Sequence, residues 1–174
     1  ALGSVEAIGN KNAPITIRGD RLDQLFEQVP YKYASGQWGG LYFLHYKGEP
    51  APTYLLNHVY LLSGNIGLYC SSEDREQRGT LTMTNSKVHN HAMYGVVLQN
   101  TDAAISNCEI SNCAAYCVYL AGGTHTLTHN TIASFFGYPY TTINIHQVIR
   151  EDVAALYINN LSKQYAPTIA NMRN

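Results

Sequence analysis

Three of the chain's four cysteines lie within the short stretch SNCEISNCAAYC, which runs from Ser106 to Cys117. Thiols at this density can bind a metal ion, form disulfides or act as nucleophiles. Two histidines, His89 and His91, precede the stretch and have the chemistry of further metal ligands. Whether these groups meet depends on the elements that carry them.

The composition favours strands and turns and excludes several classes of partner. Of 174 residues, 45% are hydrophobic but only 13% are charged, about half the usual share. The net charge of −1 and the absence of a basic stripe argue against nucleic acid as a partner. Asn, Thr, Ser and Tyr supply the polarity, with 14 tyrosines against one tryptophan. No run of 18 apolar residues occurs, so no transmembrane helix is predicted.

An internal repeat organises the second half of the chain. The segments LTMTNSKVHNHAMYGVVLQNTD (81–102), AAISNCEISNCAAYCVYLAGGT (103–124) and HTLTHNTIASFFGYPYTTINIH (125–146) align without a gap. Equivalent positions group Met83 with Ile105 and Leu127, Val88 with Ile110 and Ile132, Tyr94 with Tyr116 and Tyr138, Asn90 with Asn112 and Ser134, Val96 and Val118 with Tyr140, and Leu98 and Leu120 with Thr142.

Each copy reads as short strands separated by polar turns, which is typical of one coil of a β-solenoid. We therefore predict an all-β, right-handed parallel β-helix with coils of about 22 residues, stacked about 4.8 Å apart. A leucine-rich repeat has a period in the same range, but its L-x-x-L-x-L spacing is missing. A β-sandwich would not keep a gapless register over three copies.

The whole chain, 1–174, is predicted to be a single domain. Residues 1–50 are predicted to form irregular entry coils, and 22–30 within them to form either a short helix or an excursion from the coil. Residues 55–161 are predicted to form regular coils. Residues 162–174 are predicted to form an irregular tail. About seven coils result, or roughly 34 Å of stacked sheet.

An earlier copy, 55–70, fits the repeat with a six-residue offset. This offset aligns Leu55 with Met83, Tyr60 with Val88, Gly67 with Gly95, and Cys70 with Leu98. The charged insert SSEDREQRG (71–79) absorbs the offset and is interpreted as a solvated loop.

The repeat register disperses the cysteines. Cys108, Cys113 and Cys117 fall in three different columns, so a disulfide would have to form within one coil, and Cys108 with Cys113 is the nearest such pair. Buried free thiols are the favoured interpretation. The register places His91 beside Cys113, with His89 two residues away. These three residues are the metal-ligand candidates, but neither a metal site nor any other cofactor is predicted.

Catalysis needs groups that the regular coils lack. Glycoside hydrolysis uses two carboxylates, and polysaccharide lyases need a base. From 80 to 149 the acids are Asp102 and Glu109 and the one Lys or Arg is Lys87. The alternative function, a carbohydrate-active lyase or hydrolase, would need catalytic groups in the irregular N-terminal part or elsewhere.

The tyrosines are the predicted binding residues. Tyr94, Tyr116 and Tyr138 form a ladder, and Tyr119 lies nearby. Such a stripe can stack on sugar rings, while Asn and Thr donate hydrogen bonds, or it can simply cover the sheet. The tripeptide Arg18-Gly19-Asp20 is interpreted as a turn rather than an adhesion motif, and Trp38 as a structural anchor rather than a sugar platform.

Several stretches resemble a known family. NAPITIRGDRLDQLF followed by GQWGGLYF, then HVYLLSGNIGLYC, NSKVHNHAMYGV and NCEISNCAAYCVYLAGGTHTLTHNTIASF, resemble surface proteins of gut and oral Bacteroidetes. The resemblance covers about residues 5 to 161. It implies a right-handed parallel β-helix, usually exported as a lipoprotein, and it supplies no catalytic residues.

Together these features predict a non-catalytic cell-surface protein that acts as a structural or interaction subunit. A role as a glycan- or peptide-binding accessory of an outer-membrane nutrient-import complex fits both the tyrosines and the resemblance. Anchoring would then depend on a lipidated segment upstream of Ala1.

Overall fold

A computed structural model describes residues 3–27, 29–134, 154–160 and 163–174. Strands dominate this part of the chain, and no helix in it is long and apolar enough to span a membrane. In chain order the strands are β1 (Val5–Ile8), β2 (Ile15–Ile17), β3 (Gln24–Phe26), β4 (Val29–Pro30), β5 (Leu41–His45), β6 (Thr53–Asn57), β7 (Val59–Leu62), β8 (Ile66–Ser72), β9 (Gly79–Thr84), β10 (Lys87–His91), β11 (Tyr94–Gln99), β12 (Thr101–Ser106), β13 (Glu109–Cys113), β14 (Val118–Ala121), β15 (Gly123–Thr128), β16 (Thr131–Ala133), β17 (Leu156–Ile158) and β18 (Thr168–Arg173).

Three parallel sheets form the walls of a solenoid. The first has the order β1-β6-β9-β12-β15-β18, the second β2-β7-β10-β13-β16 and the third β5-β8-β11-β14-β17. The chain visits the sheets in turn, so each coil contributes one strand to each sheet and lies on the coil before it. The predicted right-handed parallel β-helix is confirmed.

The described residues form five complete coils, and β18 begins a sixth. The part of the chain that the structure describes thus holds fewer coils than the seven predicted, because 1–50 contribute one coil rather than several. At about 4.8 Å per coil, the distance from β1 to β18 is about 24 Å.

The 22-residue register holds from β9 to β16. Met83 pairs with Ile105 and Ile105 with Leu127, while Val88, Ile110 and Ile132 form the next inward column. These side chains pack in the interior that the three sheets enclose. Their burial is the main favourable contribution to folding.

The copy at 55–70 is shifted by one residue in its first half. Leu56, not Leu55, pairs with Met83, and Leu61, not Tyr60, pairs with Val88. A one-residue slip would turn every side chain of these strands to the other face. In the observed register Leu56 and Leu61 are each 1% exposed. The aligned position of Cys70 beside Leu98 is correct.

The source of the shift is a shorter turn. Leu62 pairs with His89 and Ile66 with Tyr94, so the path from Leu62 to Ile66 has one residue fewer than the equivalent path from His89 to Tyr94. A single offset for the whole copy therefore cannot describe both halves.

Asparagines with positive φ make the corners between sheets. Asn85 and Asn107 have φ of 52° and 54° between the first and second sheets, and Asn90 and Asn112 have φ of 62° and 58° at the next corner. Asparagine tolerates this left-handed conformation better than other residues that carry a side chain. The predicted polar turn column is thus a set of corner residues, and the Asn112 amide donates a hydrogen bond to Asn90 Oδ1.

Residues 22–30 form an excursion rather than a helix. They carry β3 and β4, which pair antiparallel outside the three walls, and Tyr31–Tyr33 form one 3₁₀ turn after them. A helix here would need a face to pack against, yet Leu22 and Phe26 are 78% and 69% exposed. Pro30, which lacks a backbone N–H, also ends any helix at this point.

The C-terminal part departs from the predicted register. Val118 pairs with Leu156 rather than Tyr140, and Leu120 with Ile158 rather than Thr142. The reason is that 134–155 intervene between β16 and β17, so the gapless repeat ends in the third copy. Tyr138, Tyr140 and Thr142 lie outside the described residues.

The tail predicted to be irregular, 162–174, contains a regular strand. Every residue of β18 pairs with β15.

Candidate functional site

All four cysteines are buried and free. The thiols in contact are those of Cys113 and Cys117, not those of Cys108 and Cys113. Both side chains face the interior of the solenoid, Cys113 at the end of β13 and Cys117 just before β14. Hydrogen bonding to Cys117 and burial both raise the pKa of Cys113.

The three metal-ligand candidates do not converge. His91 and Cys113 are paired neighbours, as the repeat predicts, and both are 0% exposed inside the solenoid. His89 lies on the outer face, where its Nδ1 is 2.7 Å from Ser111 Oγ. The positive φ of Asn90 interrupts the alternation of the strand and so separates the two histidines. Within the described residues no group of three potential ligands is suitable for a metal ion.

His91 has a structural role. Its Nδ1 accepts the Gly64 N–H at 3.1 Å, and Nε2 donates to the Leu61 carbonyl at 3.1 Å. Both ring nitrogens are therefore used, and the ring connects neighbouring coils. Burial lowers the pKa of His91 to about 4, so the ring is neutral at physiological pH.

The charged insert is not fully solvated. Arg78 makes two hydrogen bonds to the Asp102 carboxylate, at 3.0 and 3.1 Å, and is 22% exposed. Arg75 donates to the Tyr165 carbonyl at 2.8 Å, and Thr124 N–H donates to Asp102 at 2.8 Å. The insert thus connects the first sheet to the segment before β18, which the sequence did not predict.

The acids of the regular coils are engaged in ion pairs. Asp102 binds Arg78, and Glu109 binds Lys87 at 2.9 Å across β10 and β13. The Lys87 ammonium lowers the pKa of Glu109. These two carboxylates therefore act as partners for cations on neighbouring coils.

A serine and a histidine also meet in the wall. His45 Nδ1 lies 2.8 Å from Ser72 Oγ, and Nε2 lies 3.0 Å from the Glu49 carbonyl. A cavity of about 230 Å³ lies beside His45. Ser72 is 3% exposed and its hydroxyl accepts the Asp74 N–H, so this pair closes a corner of the coil.

The outward surface of the third sheet gathers six tyrosines, which we call the tyrosine face. Its members are Tyr42, Tyr69, Tyr94, Tyr116, Tyr119 and Tyr157.

Backbone register explains how this face forms. Tyr42 pairs with Tyr69, Tyr69 with Val97, Val97 with Tyr119, and Tyr119 with Tyr157. Parallel in-register pairing puts equivalent side chains on the same face about 4.8 Å apart. The column is thus a ladder of tyrosines across five strands, interrupted at Val97.

The rings stack on one another. Tyr116 lies 4.8 Å from Tyr157 and 5.9 Å from Tyr94, with planes 12° and 24° from parallel. Tyr119 lies 5.5 Å from Tyr157 and 6.4 Å from Tyr94. Offset stacking at these distances stabilises the rings by about 0.5–1.5 kcal/mol per pair.

Polar groups alternate with the ring faces. The Tyr69 hydroxyl donates to Gln99 Oε1 at 2.6 Å, and the Asn159 amide donates to the Tyr119 hydroxyl at 2.9 Å. A cavity of about 190 Å³ lies between these groups, lined by Ile66, Tyr69, Tyr94, Val97, Gln99 and Tyr119. The lining thus combines ring faces, aliphatic surface and an amide, with no carboxylate or amine.

Of the predicted tyrosines, the structure brings together Tyr94, Tyr116 and Tyr119, and Tyr157 lies against Tyr116. The repeat pattern did not single out Tyr42, Tyr69 or Tyr157. A signal existed for two of these: the 55–70 copy already aligned Tyr69 with Val97, and the segment AALYINNL (154–161) contains Tyr157.

The structure also shows the surroundings of Trp38 and of the tripeptide Arg18-Gly19-Asp20. Trp38 is half-buried, and its indole N–H donates to the Leu62 carbonyl at 2.7 Å, as expected for an anchor. Gly19 packs against Gln37, and Arg18 and Gly19 are half-buried, so the tripeptide lies along the wall after β2.

Comparison with known proteins supports the fold class. A family model described as a right handed beta helix region matches residues 75–146, which span the three copies of the repeat. Searches of the curated proteins and of the solved structures returned no significant match. The chain is therefore similar to right-handed β-helix proteins over this region.

Proposed function

We propose that this β-helical protein is a non-catalytic glycan-binding subunit that uses its tyrosine face to stack on sugar rings. The six rings on the third sheet are the observation that supports this proposal. A stack of rings buries part of each aromatic surface and leaves the outer edges available to a ligand. Tyr42, at one end of the ladder, is 43% exposed.

Sugars suit this surface because a pyranose has an apolar C–H face and a polar rim. The exposed parts of the tyrosine rings would contact the C–H groups, while Gln99 and Asn159 would lie beside hydroxyls. A rigid solenoid also holds successive rings at a fixed spacing of about 4.8 Å, so little ordering entropy is lost on binding.

The proposal is tested by titration calorimetry with a panel of neutral oligosaccharides, such as cellohexaose, xylohexaose and mannohexaose. Tyr94→Ala removes a ring that stacks on Tyr116 and lines the cavity, and it is expected to weaken binding about 3- to 10-fold. Tyr94→Phe keeps the ring and is expected to bind within about 2-fold of the wild type.

Tyr33→Ala is the matched control, because Tyr33 is 55% exposed in the excursion and lies outside the tyrosine face. Wild-type protein that binds none of the panel, or Tyr94→Ala protein that binds as tightly as the wild type, would contradict the proposal.

We further propose that the protein acts at the cell surface, within an outer-membrane import complex, where it delivers bound glycan to its partners. The family resemblance motivates this part. Protease treatment of intact cells should degrade the protein, and affinity purification from native membranes should recover outer-membrane proteins. Protection from protease in intact cells would contradict this location.

A further inference from the structure

The ladder of the tyrosine face lacks one ring. The column runs Tyr42, Tyr69, Val97, Tyr119 and Tyr157, so an aliphatic side chain stands where the neighbouring coils carry aromatic ones. Val97 is 4% exposed and contributes to the lining of the cavity of about 190 Å³. We infer that this gap is a subsite for a single uncharged pyranose, which takes the position of the missing ring. The inference rests on the proposed function and specifies its ligand.

The size of the cavity fits one ring. An apolar cavity of about 150 Å³ accepts one benzene molecule, whereas pockets for larger ligands begin at about 300 Å³. The cavity at Val97 has a volume of about 190 Å³, slightly more than the cavity that holds one benzene molecule. Tyr69 and Tyr119 lie on the strands either side of Val97, two strand spacings or about 9.6 Å apart. A ring over Val97 would therefore contact both tyrosines.

The polar lining favours a sugar over an aromatic side chain. Gln99 Oε1 accepts the Tyr69 hydroxyl, so the orientation of the amide is fixed and its NH₂ group is the donor at the cavity. A sugar hydroxyl can accept from that donor. An aromatic ring would cover this donor without accepting a hydrogen bond from it, which is unfavourable for a group that loses its contact with water.

The lining also favours an uncharged sugar. Arg75 and Arg78, on the neighbouring insert, are engaged with the Tyr165 carbonyl and the Asp102 carboxylate. A uronic acid bound at Val97 would lose water from its carboxylate without gaining a cation from the residues that line the cavity. Neutral hexoses or pentoses avoid this loss.

The decisive variant is Val97→Tyr, which completes the ladder. It is expected to raise the melting temperature or leave it unchanged, because cross-strand aromatic pairs stabilise sheets. It is also expected to weaken binding of neutral hexasaccharides at least about 10-fold, because the new ring fills the gap. Improved stability with lost binding cannot result from misfolding.

Val97→Ile is the control, since it keeps a β-branched aliphatic side chain that is too small to fill the gap, and it should bind within about 3-fold of the wild type. Gln99→Leu removes the donor and is expected to weaken binding about 3- to 10-fold. Undiminished binding by Val97→Tyr would overturn the subsite, while the tyrosine face as a whole could still bind through Tyr94.

Three further outcomes bear on the ligand class. Equal affinity for oligogalacturonate would overturn the preference for neutral sugars. Tighter binding of a tyrosine- or phenylalanine-containing peptide than of any sugar, lost in Val97→Tyr, would show that the gap takes an aromatic side chain instead. If the wild type binds no neutral glycan, the proposed function and the subsite both fail.

Discussion

The rings of Tyr116 and Tyr157 stack with their centroids 4.8 Å apart and their planes 12° from parallel. Tyr116 lies two residues before β14, the fourth strand of the third sheet, and Tyr157 lies in β17, which follows the connection at 134–155. The repeat alone would have placed Tyr138 here. The tyrosine face therefore continues beyond the break in the regular repeat, because β17 restores the third sheet.

The two buried histidines should respond differently to replacement by leucine. His91→Leu leaves the Gly64 N–H and the Leu61 carbonyl without their partner, and unfolding free energy should fall by about 2–4 kcal/mol. His125 is 1% exposed, and its ring lies near the Gly122 backbone without a well-formed hydrogen bond to the described residues. His125→Leu should therefore change stability by less than about 1 kcal/mol, or raise it.

Urea unfolding at pH 7.5 measures the free energy of unfolding of both variants. Equal destabilisation by the two substitutions would contradict the hydrogen-bond roles assigned to the rings.

Stability should fall as the pH is lowered from 6.5 towards 4. Burial lowers the pKa of His91 and of His125 to about 4, whereas an unfolded histidine titrates near 6.5. The unfolded state then binds more protons in this window, so the stabilisation is complete above pH 6.5 and is lost as the pH falls through 4. Each histidine contributes a slope of up to about 1.4 kcal/mol per pH unit.

Urea titrations at pH 7.5, 6.0 and 5.0 measure the slope. His125→Leu should make the slope shallower. A flat profile between pH 6.5 and 5 would contradict the buried neutral state of both rings.

Tyr54→Phe should stabilise the protein by up to about 1 kcal/mol. The Tyr54 ring stacks on Phe43 at 4.4 Å, and its buried hydroxyl has no partner among the described residues. Burial also raises the pKa of Tyr54 to about 12. Removing the hydroxyl keeps the stack and ends the cost of an unpaired buried polar group. Thermal unfolding measures the effect, and Tyr33→Phe is the exposed control. A melting temperature lowered by several degrees would show that the hydroxyl has a partner.

The four thiols should be unreactive in the folded protein. Each cysteine is at most 3% exposed, and burial raises the pKa of Cys70 and of Cys108, the latter to about 11. Hydrogen bonding to Cys113 lowers the pKa of Cys117, but this side chain is 0% exposed and the reagent cannot reach it. A disulfide reagent such as DTNB should therefore label none of the four thiols within minutes at pH 7.5. Unfolding in guanidinium should release four equivalents. Fast labelling of one thiol in the native protein would indicate access to the Cys113–Cys117 pair.

The repeat predicts the core of the fold because residues at equivalent positions of stacked coils must pack against one another. Met83, Ile105 and Leu127 must share a column for the interior to pack, so the spacing of 22 fixes their pairing. The spacing mispredicts the pairing where a turn changes length. The path from Leu62 to Ile66 is one residue shorter than its equivalent in the next coil, which shifts the pairing of the preceding strands by one residue. The hydrophobic pattern of those strands changes too little to show this shift.

The candidate site was only partly predictable for the same reason. Tyr94 and Tyr116 lie in the gapless copies, whereas Tyr157 follows an insertion whose length no pattern sets. The gap at Val97 becomes visible only when the tyrosines of five strands are in register. Exposed segments are harder still, because the excursion at 22–30 has no packing partner that would select its conformation.

The alternative function, cleavage of polysaccharides, can be tested separately. Incubation of the purified protein with neutral and acidic polysaccharides should yield neither reducing ends nor unsaturated products, because Asp102 and Glu109 are held by Arg78 and Lys87. Product formation that survives Asp102→Asn and Glu109→Gln would locate catalysis elsewhere in the chain and contradict the non-catalytic proposal.

The central claim, that sugars stack on the tyrosine face, is tested most directly by saturation-transfer difference NMR. Irradiation of the tyrosine ring protons in the presence of a neutral hexasaccharide should transfer magnetisation to the C–H protons of one pyranose face. The transfer should be weaker in Tyr94→Ala and in Val97→Tyr, and unchanged in Tyr33→Ala. Transfer that is absent in the wild type, or that persists in full in both face variants, would contradict the account.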